Sequence, residues 1–361
     1  MSTPLRVLVV GCGHMGSSHA RAYQRMPDFK IVGLVSRGVA SRDQLATALG
    51  GGCPTFASYD EALAQTKPDA VCISTYPDTH ATFARRALEH GCHVFLEKPI
   101  ATALQDAREL IALSQRLGRK LVLGYILQHH PSWDLFVREA RKLGKPLVMR
   151  MNLNQQSSGA EWQTHKNIMQ SMAPMVDCGV HYVDVMCRMT QARPVRVHAI
   201  QARLSSELVP GMANYGQLQV TFDDGSVGWY EAGWGPMMST TAGFVKDVIG
   251  PLGSVSIADA IAENAASDDV NAHTKTAALR VHRAALDADN RFAHRDELLI
   301  TSGEPDHDSL CATEQAFFAR TIREDLDLGE HLSAVLHSLQ IVLAAAESAR
   351  TGESIRLESL S

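Results

Sequence analysis

The chain has 361 residues, 45% of them hydrophobic and 20% charged, with a formal net charge of −5. That length exceeds what one hydrophobic core usually serves, so two domains are expected, and the ordinary composition excludes a fibrous or disordered protein. The negative balance, with no basic run, gives no electrostatic reason for a nucleic-acid or anionic-membrane partner.

Seven cysteines (Cys12, Cys53, Cys72, Cys92, Cys178, Cys187 and Cys311) are scattered without a CxxC pair. That pattern suits reduced thiols better than a disulfide framework or a zinc finger. Met1-Ser2-Thr3-Pro4 runs into a strand-like segment without a signal peptide's basic-then-apolar layout. No apolar run approaches the ~18 residues that a membrane-spanning helix needs. A cytoplasmic home is the expectation.

In chain order, Leu5–Val10 is an apolar, β-branched run of the kind buried on both faces of a sheet. A glycine-punctuated turn and a helical stretch, Ser17–Met26, follow. Lys30–Val35 reads as the second strand and Arg42–Leu49 as a helix. Ser58, with Asp60 and Glu61 behind it, marks another helix start. Then come a strand at Ala70–Thr75, a helix at Thr79–Glu89, a strand at His93–Leu96, a helix at Leu104–Leu117 and a strand at Lys120–Gly124. Strands alternating with helices predict βαβ units and a doubly wound parallel sheet over residues 1–124.

Beyond residue 125 longer alternating stretches appear, at the VMRMNLN segment near Leu147–Leu153, Val195–Leu204, Gly216–Phe222 and Gly225–Ala232, with Asp223-Asp224-Gly225 as a hairpin turn. They predict, over 125–361, an α+β domain with a large, mostly antiparallel open sheet. Asp259–Asp269 reads as a variable insertion. Ala312–Glu324 and Leu332–Thr351 are helical by period.

Gly11-Cys12-Gly13-His14-Met15-Gly16 is a G-x-G-x-x-G between the first strand and the first helix. The first glycine permits the tight turn, the second lets backbone approach a pyrophosphate, and the third lets helix and strand pack closely. A carboxylate some 20 residues on would mark NAD through the ribose 2′-hydroxyl. Here stand Ser36-Arg37, with Arg42 nearby. A hydroxyl and a guanidinium suit a 2′-phosphate, so NADP(H) is favoured and NAD(H) remains possible.

Three further segments carry chemistry: Glu97-Lys98-Pro99 after the strand at His93–Leu96, Gly124-Tyr125-Ile126-Leu127-Gln128-His129-His130-Pro131 at the domain crossover, and Asp177-Cys178-Gly179-Val180-His181-Tyr182-Val183-Asp184. With the glycine turn, they resemble the glucose–fructose oxidoreductase / inositol dehydrogenase / rhizopine-catabolism (Gfo/Idh/MocA) family over nearly the whole chain. The resemblance implies a Rossmann domain followed by an α/β domain with an open sheet that serves oligomer contacts, hence a homodimer or homotetramer. It also implies Lys98, Asp177 and His181 as catalytic positions. The residue types agree: if Asp177–Asp184 is helical, Asp177 and His181 share one face, a histidine suits proton transfer near neutrality, and a lysine favours alkoxide character on the reacting oxygen. Thr75, Pro77, His80 and Glu97 match cofactor-contacting positions. Gln128 stands where the family often has arginine, and Ser171-Met172-Ala173 where it often has three glycines.

The polar stretch Glu161–Asn167 reads as a loop whose Trp162 stacks on a sugar while His165, Lys166 and Asn167 bond its hydroxyls. Trp229, Trp234 and Met237-Met238 read as core or subunit contact, and no metal is expected, since no His/Cys set has ligand spacing. The resulting expectation is an NAD(P)-dependent dehydrogenase or reductase acting on a sugar, sugar derivative or cyclitol. A redox-neutral glycoside hydrolase on the same fold and a non-catalytic cofactor-binding protein are the alternatives.

Overall fold

The apolar runs of the first third pair with one another side by side. In the computed structural model, which describes residues 3–238, 245–258, 274, 276–301 and 303–360, the chain divides into two compact units. The first is Met1–His129 with Pro305–Leu336; the second is His130–Glu304 with His337–Ser361.

The first unit alternates β1 (Leu5–Val10), α1 (His14–Arg25), β2 (Phe29–Val35), α2 (Val39–Ala48), β3 (Thr55–Phe56), α3 (Tyr59–Thr66), β4 (Ala70–Ile73), α4 (Pro77–Glu89), β5 (His93–Leu96), α5 (Leu104–Arg116) and β6 (Leu121–Leu123). The strands run parallel in the order β3-β2-β1-β4-β5-β6. The order reverses beside β1, and in such sheets ligands bind outside the carboxyl ends of the strands at that point. Val7–Val10, Ala70–Ile73 and Val94–Leu96 are essentially fully buried, as continuous apolar strands covered on both faces must be. At the start of α3 the Ser58 side chain accepts the Glu61 N–H at 3.3 Å, capping the helix as its sequence signals.

The first unit extends through a 3₁₀ turn, Ile126–Gln128, and is joined again by α10 (His307–Arg323) and the first turns of α11 (Gly329–Thr351). A boundary at 124/125 misses that return. Its physical cause is the apolar face of α10: Phe318 is fully buried, 6.2 Å from the Phe29 ring and 6.0 Å from Phe95.

The second unit holds α6 (Pro131–Arg141), β7 (Val148–Gln155), α7 (Gly159–Ile168), α8 (Pro174–Asp177), α9 (Gly179–Thr190), β8 (Pro194–Ala202), β9 (Tyr215–Phe222), β10 (Val227–Trp234), β11 (Lys246–Gly250), β12 (Gly253–Ala258), β13 (Ala278–Arg283), β14 (Glu297–Ile300) and β15 (Ile355–Arg356). Their sheet has nine strands, in the order β14-β13-β12-β11-β7-β10-β9-β8-β15, antiparallel except where β7 and β10 run together. Alternation decides the faces: Met149, Met151, Tyr230 and Ala232 are buried, and Val148, Val227 and Ile249 are exposed. Gly228 is open to close packing, since a Cβ there would lie 2.6 Å from the Met186 sulfur of α9.

Asp259–Asp269 lies outside the described residues. One expectation is corrected: by length and composition α11 passes as a membrane-crossing helix, although 56% of its most apolar stretch is buried inside the protein, as in a core helix.

Candidate active site

The three glycines after β1 meet different surroundings. Gly11 has φ +97°, and a Cβ there would stand 2.2 Å from the Ser74 carbonyl oxygen. A Cβ on Gly16 would stand 1.9 Å from the Gly11 oxygen, whereas around Gly13 there is nothing within 4 Å. So the first and third glycines are demanded by the packing of β1, β4 and α1, and the second leaves backbone open to a ligand. Gly13 is also the N-cap of α1, with no side-chain cap. The first-turn amides of His14, Met15 and Gly16, at the positive end of the helix dipole, fit an anion such as a pyrophosphate.

At the end of β2, Ser36 is half-buried and Arg37 exposed. Arg42 is 8% exposed, and its Nη1 donates to the carbonyls of Ser36 and Arg37. Its Nη1 is thus committed to the turn, Ser36 Oγ lies 3.2 Å from Ser41 Oγ, and Arg37 is the exposed cation there. After β4, Thr75 Oγ1 lies 2.7 Å from Thr79 Oγ1 and Pro77 opens α4. His80 is fully buried between the Pro99 carbonyl (2.7 Å) and the Thr75 carbonyl (3.0 Å). Burial pushes its pKa down while the two carbonyls oppose. His80 therefore fixes the turn after β5 against the turn after β4.

Glu97, at the carboxyl end of β5, is 6% exposed. Its Oε2 accepts the Lys98 backbone N–H at 3.2 Å, and its Oε1 lies 2.7 Å from His19 Nε2. Lys98 itself is half-buried. Gln128 ends the 3₁₀ turn, with Oε1 3.3 Å from His331 Nδ1. His14 is exposed and stacks on His307 at 5.7 Å. The first unit thus carries all the expected cofactor positions together with Lys98 and Gln128.

The second unit carries the rest. Asp177 closes the one-turn helix α8 and α9 begins two residues later. Cys178 between them keeps helical angles (φ −84°, ψ −28°), and the His181 N–H bonds the Cys178 carbonyl at 3.2 Å. The expected single helix is therefore two, broken at Cys178. Asp177 is 6% exposed, Asp184 1%, and His181 half-buried. Gly179 is explained by contact: a Cβ would lie 3.1 Å from Val342 and 3.4 Å from the Tyr230 ring.

The loop expected at Glu161–Asn167 is instead helix α7, because Trp162 and His165 both turn inward. Trp162 is 6% exposed, donates Nε1–H to Glu207 at 3.2 Å, and has Lys166 Nζ 5.6 Å from its ring centre. Lys166 pairs with Glu207 at 2.6 Å. His165 stacks on Trp234 at 4.3 Å and meets Ser157 Oγ at 2.8 Å through Nδ1. Trp234, at the end of β10, donates to Gln155 Oε1 at 2.6 Å, and Cys178 Sγ lies 3.8 Å from that same oxygen. So Trp234, read from the sequence as core or subunit contact and 2% exposed here, forms with the unmarked Gln155 a polar-aromatic shelf beside Cys178. Their strand-end register (Trp234 opposite Gln155) is the signal that a pairing prediction would have needed.

Also unmarked were Tyr23, Glu314 and Gln315, buried in the first unit with His19. A Glu-Gln pair within the otherwise apolar face Leu310, Cys311, Phe318 and Ala319 was the available clue. Among the described residues, His19, Cys311 and Glu314 present ligand atoms within 4.8 Å of one another, but both nitrogens of His19 are committed, to Glu97 and to Gln315.

Residues 5–125 match the family described as "Oxidoreductase family, NAD-binding Rossmann fold", and residues 137–245 match the "GFO/IDH/MocA C-terminal domain". The UDP-N-acetylglucosamine 3-dehydrogenase of Acidithiobacillus ferrooxidans is 28% identical over 196 residues, 54% of this chain and 58% of that one. The D-glucoside 3-dehydrogenase of Escherichia coli is 28% identical over 191 residues, 51% and 53% of the two chains. The chain spans about half the length of these curated relatives. Among solved structures, GenD2 from gentamicin A biosynthesis, in complex with NAD, has the same fold with a TM-score of 0.76 at 21% identity, over 99% of this chain and 98% of that one.

Proposed function

Because the chain belongs to the Gfo/Idh/MocA oxidoreductase family, we propose that it transfers a hydride between nicotinamide C4 and a hydroxyl-bearing carbon of a sugar, sugar derivative or cyclitol. The observation that carries the reading is the glycine cradle, closed at Gly11 and Gly16 and open at Gly13, at the same carboxyl end of the parallel sheet as Glu97-Lys98. The dinucleotide, when bound, supplies or takes up the hydride. Lys98 holds the reacting oxygen and favours its alkoxide character. His181 takes the hydroxyl proton in oxidation and returns it in reduction. Asp177 anchors the substrate. Both curated relatives are named as 3-dehydrogenases of glucose-derived sugars, which supports a ring hydroxyl as the reacting group.

NADP(H) is the preferred cofactor in this reading, through Ser36 and the exposed Arg37, which stand at the end of β2 where the sequence places no carboxylate to repel a 2′-phosphate. The family description and the NAD-bound relative make NAD(H) the form to compare. The outward face of the nine-stranded sheet is the subunit contact, and the cytoplasm is the compartment.

The test is absorbance at the reduced-nicotinamide band with NADP and NAD separately against a panel of sugars and cyclitols. Turnover with a member of the panel is expected, falling by roughly 10²-fold or more in Lys98→Ala and His181→Ala while both variants stay folded. Release of a free sugar from a glycoside with no net change in reduced cofactor would favour the hydrolase instead. A higher specificity constant with NAD would overturn the cofactor preference.

A further inference from the structure

The buried polar chain that ends on Glu97 has a direction. A carboxylate only accepts, so His19 Nε2 must carry the proton and donate to Glu97 Oε1 at 2.7 Å. The Nδ1 of the neutral ring is then an acceptor, and Gln315 Nε2 donates to it at 3.0 Å. Gln315 Oε1 in turn accepts the Tyr23 hydroxyl at 2.5 Å. On its other side, Glu97 Oε2 accepts the Lys98 backbone N–H.

Every member is withdrawn from water: His19, Tyr23 and Gln315 are 0% exposed, Glu97 6%. Glu314 is 1% exposed beside them, and its Oε1 has no partner among the described residues. Burial, with the Glu97 charge next to it, pushes the Glu314 carboxyl well above the usual range. Of the two carboxyls, Glu314 is the one that burial drives toward its neutral form, while Glu97 keeps the His19 imidazole and the Lys98 N–H as partners. Burying that many polar groups is costly unless each is bonded, and apolar side chains on α1 and α10 would fill the same space without that cost.

We propose that His19 is a positioning residue for Lys98: by donating to Glu97, it holds a buried carboxylate charged and folded back on the Lys98 amide, which fixes the lysine's backbone and sustains its ammonium. This rests on the reading of Lys98 as the group that holds the reacting oxygen. Without the imidazole N–H, Glu97 is a buried carboxylate beside Glu314 that has lost the 2.7 Å bond from His19, which favours its taking up a proton. Lys98 then loses the neighbouring negative charge and surrenders its own proton at lower pH.

The experiment is competitive acetylation of the full-length protein with acetic anhydride from pH 6 to 11, reading Lys98 by peptide mass spectrometry against the exposed Lys30. No substrate is needed. In His19→Leu the Lys98 midpoint should fall by about one pH unit, a roughly tenfold gain in labelling well below the midpoint, with Lys30 unmoved. His19→Gln, which keeps an N–H donor, should return the midpoint toward wild type. Glu97→Gln should lower it alike, and the double variant no further than Glu97→Gln alone, since the two act in series.

An unmoved Lys98 midpoint in folded His19→Leu, or effects that simply add, overturns the proposal. Should His19→Leu fail to fold, Glu97→Gln, which removes the charge itself at nearly the same volume, is read in its place, and an unmoved Lys98 midpoint there overturns the proposal. A shifted midpoint in a protein that turns over no sugar or cyclitol would sink the hydride-transfer reading and leave the positioning intact. Turnover with an unmoved midpoint would do the reverse.

Discussion

Gly11, Gly13 and Gly16 are one motif in sequence and three different demands in space. A methyl group on Gly16 meets the Gly11 oxygen at 1.9 Å, backbone against backbone, so neither partner can rotate away. Gly16→Ala should therefore cost roughly 1–3 kcal/mol as overpacking and lower the melting temperature by several degrees. Gly13→Ala meets nothing within 4 Å. It should melt close to wild type yet bind reduced cofactor about tenfold or more weakly, because the added methyl occupies the space a pyrophosphate needs. Thermal melts paired with fluorescence titration of NADPH and NADH check both, and equal loss of stability at the two positions would contradict the cradle. The glycine spacing was legible because its chemistry is local. His19, three residues on, was not: its partners Glu97 and Gln315 lie 78 and 296 positions away, and no local pattern encodes that meeting.

At the scale of elements, β6 is the clearest case of stability tied to protonation. This three-residue edge strand is pinned at both ends by imidazoles: the Lys120 N–H donates to His93 Nδ1 at 3.0 Å and the Leu123 N–H to His331 Nε2 at 3.0 Å. Both rings must be neutral to accept. Burial pushes each pKa down to about 4, helped at His93 by Arg119 and Lys120 and at His331 by His129. An unfolded histidine titrates near 6.5, so below that pH the unfolded chain binds more protons than the folded one. The stabilisation is whole above about pH 6.5 and is lost as pH falls toward 4. Melting temperature should decline across that window, with amide exchange at Lys120 and Leu123 accelerating first. A flat profile between pH 7 and 4 would contradict the tie. Strand β6 itself is legible in its apolar run, whereas the sequence of α7 reads as a loop. Its residues are mostly polar, and the inward turn of Trp162 and His165 depends on Glu207, Ser157 and Trp234, which no period in α7 announces.

For the whole molecule, the parallel sheet and the strands β7 to β10 of the second sheet are legible, because alternation and buried runs are written in period and composition, whereas β11 to β15 are not singled out by either. Nor is the membership of Pro305–Leu336 in the first unit legible, since α10 is amphipathic and amphipathicity names a face without naming its partner. The same limit applies to the outward face of the nine-stranded sheet, where the pairing register sets Ile249, Val148 and Val227 side by side on adjacent strands. They are 42%, 40% and 39% exposed, and Ile200, Leu298 and Ile300 are more exposed still. An apolar line across three central strands of an open sheet, near their ends, is a surface that stable proteins usually cover, and a symmetric pairing of copies covers it with the same residues from both sides. On that basis, sedimentation velocity of the wild type should give a dimer or tetramer. The variant carrying Val148→Glu and Val227→Glu, which sets like charges facing each other across such a contact, should sediment as a monomer while binding NAD(P)H as before. A variant that keeps the wild-type sedimentation coefficient would move the subunit contact off this face. A wild type that sediments as a monomer over the micromolar range would remove the contact altogether.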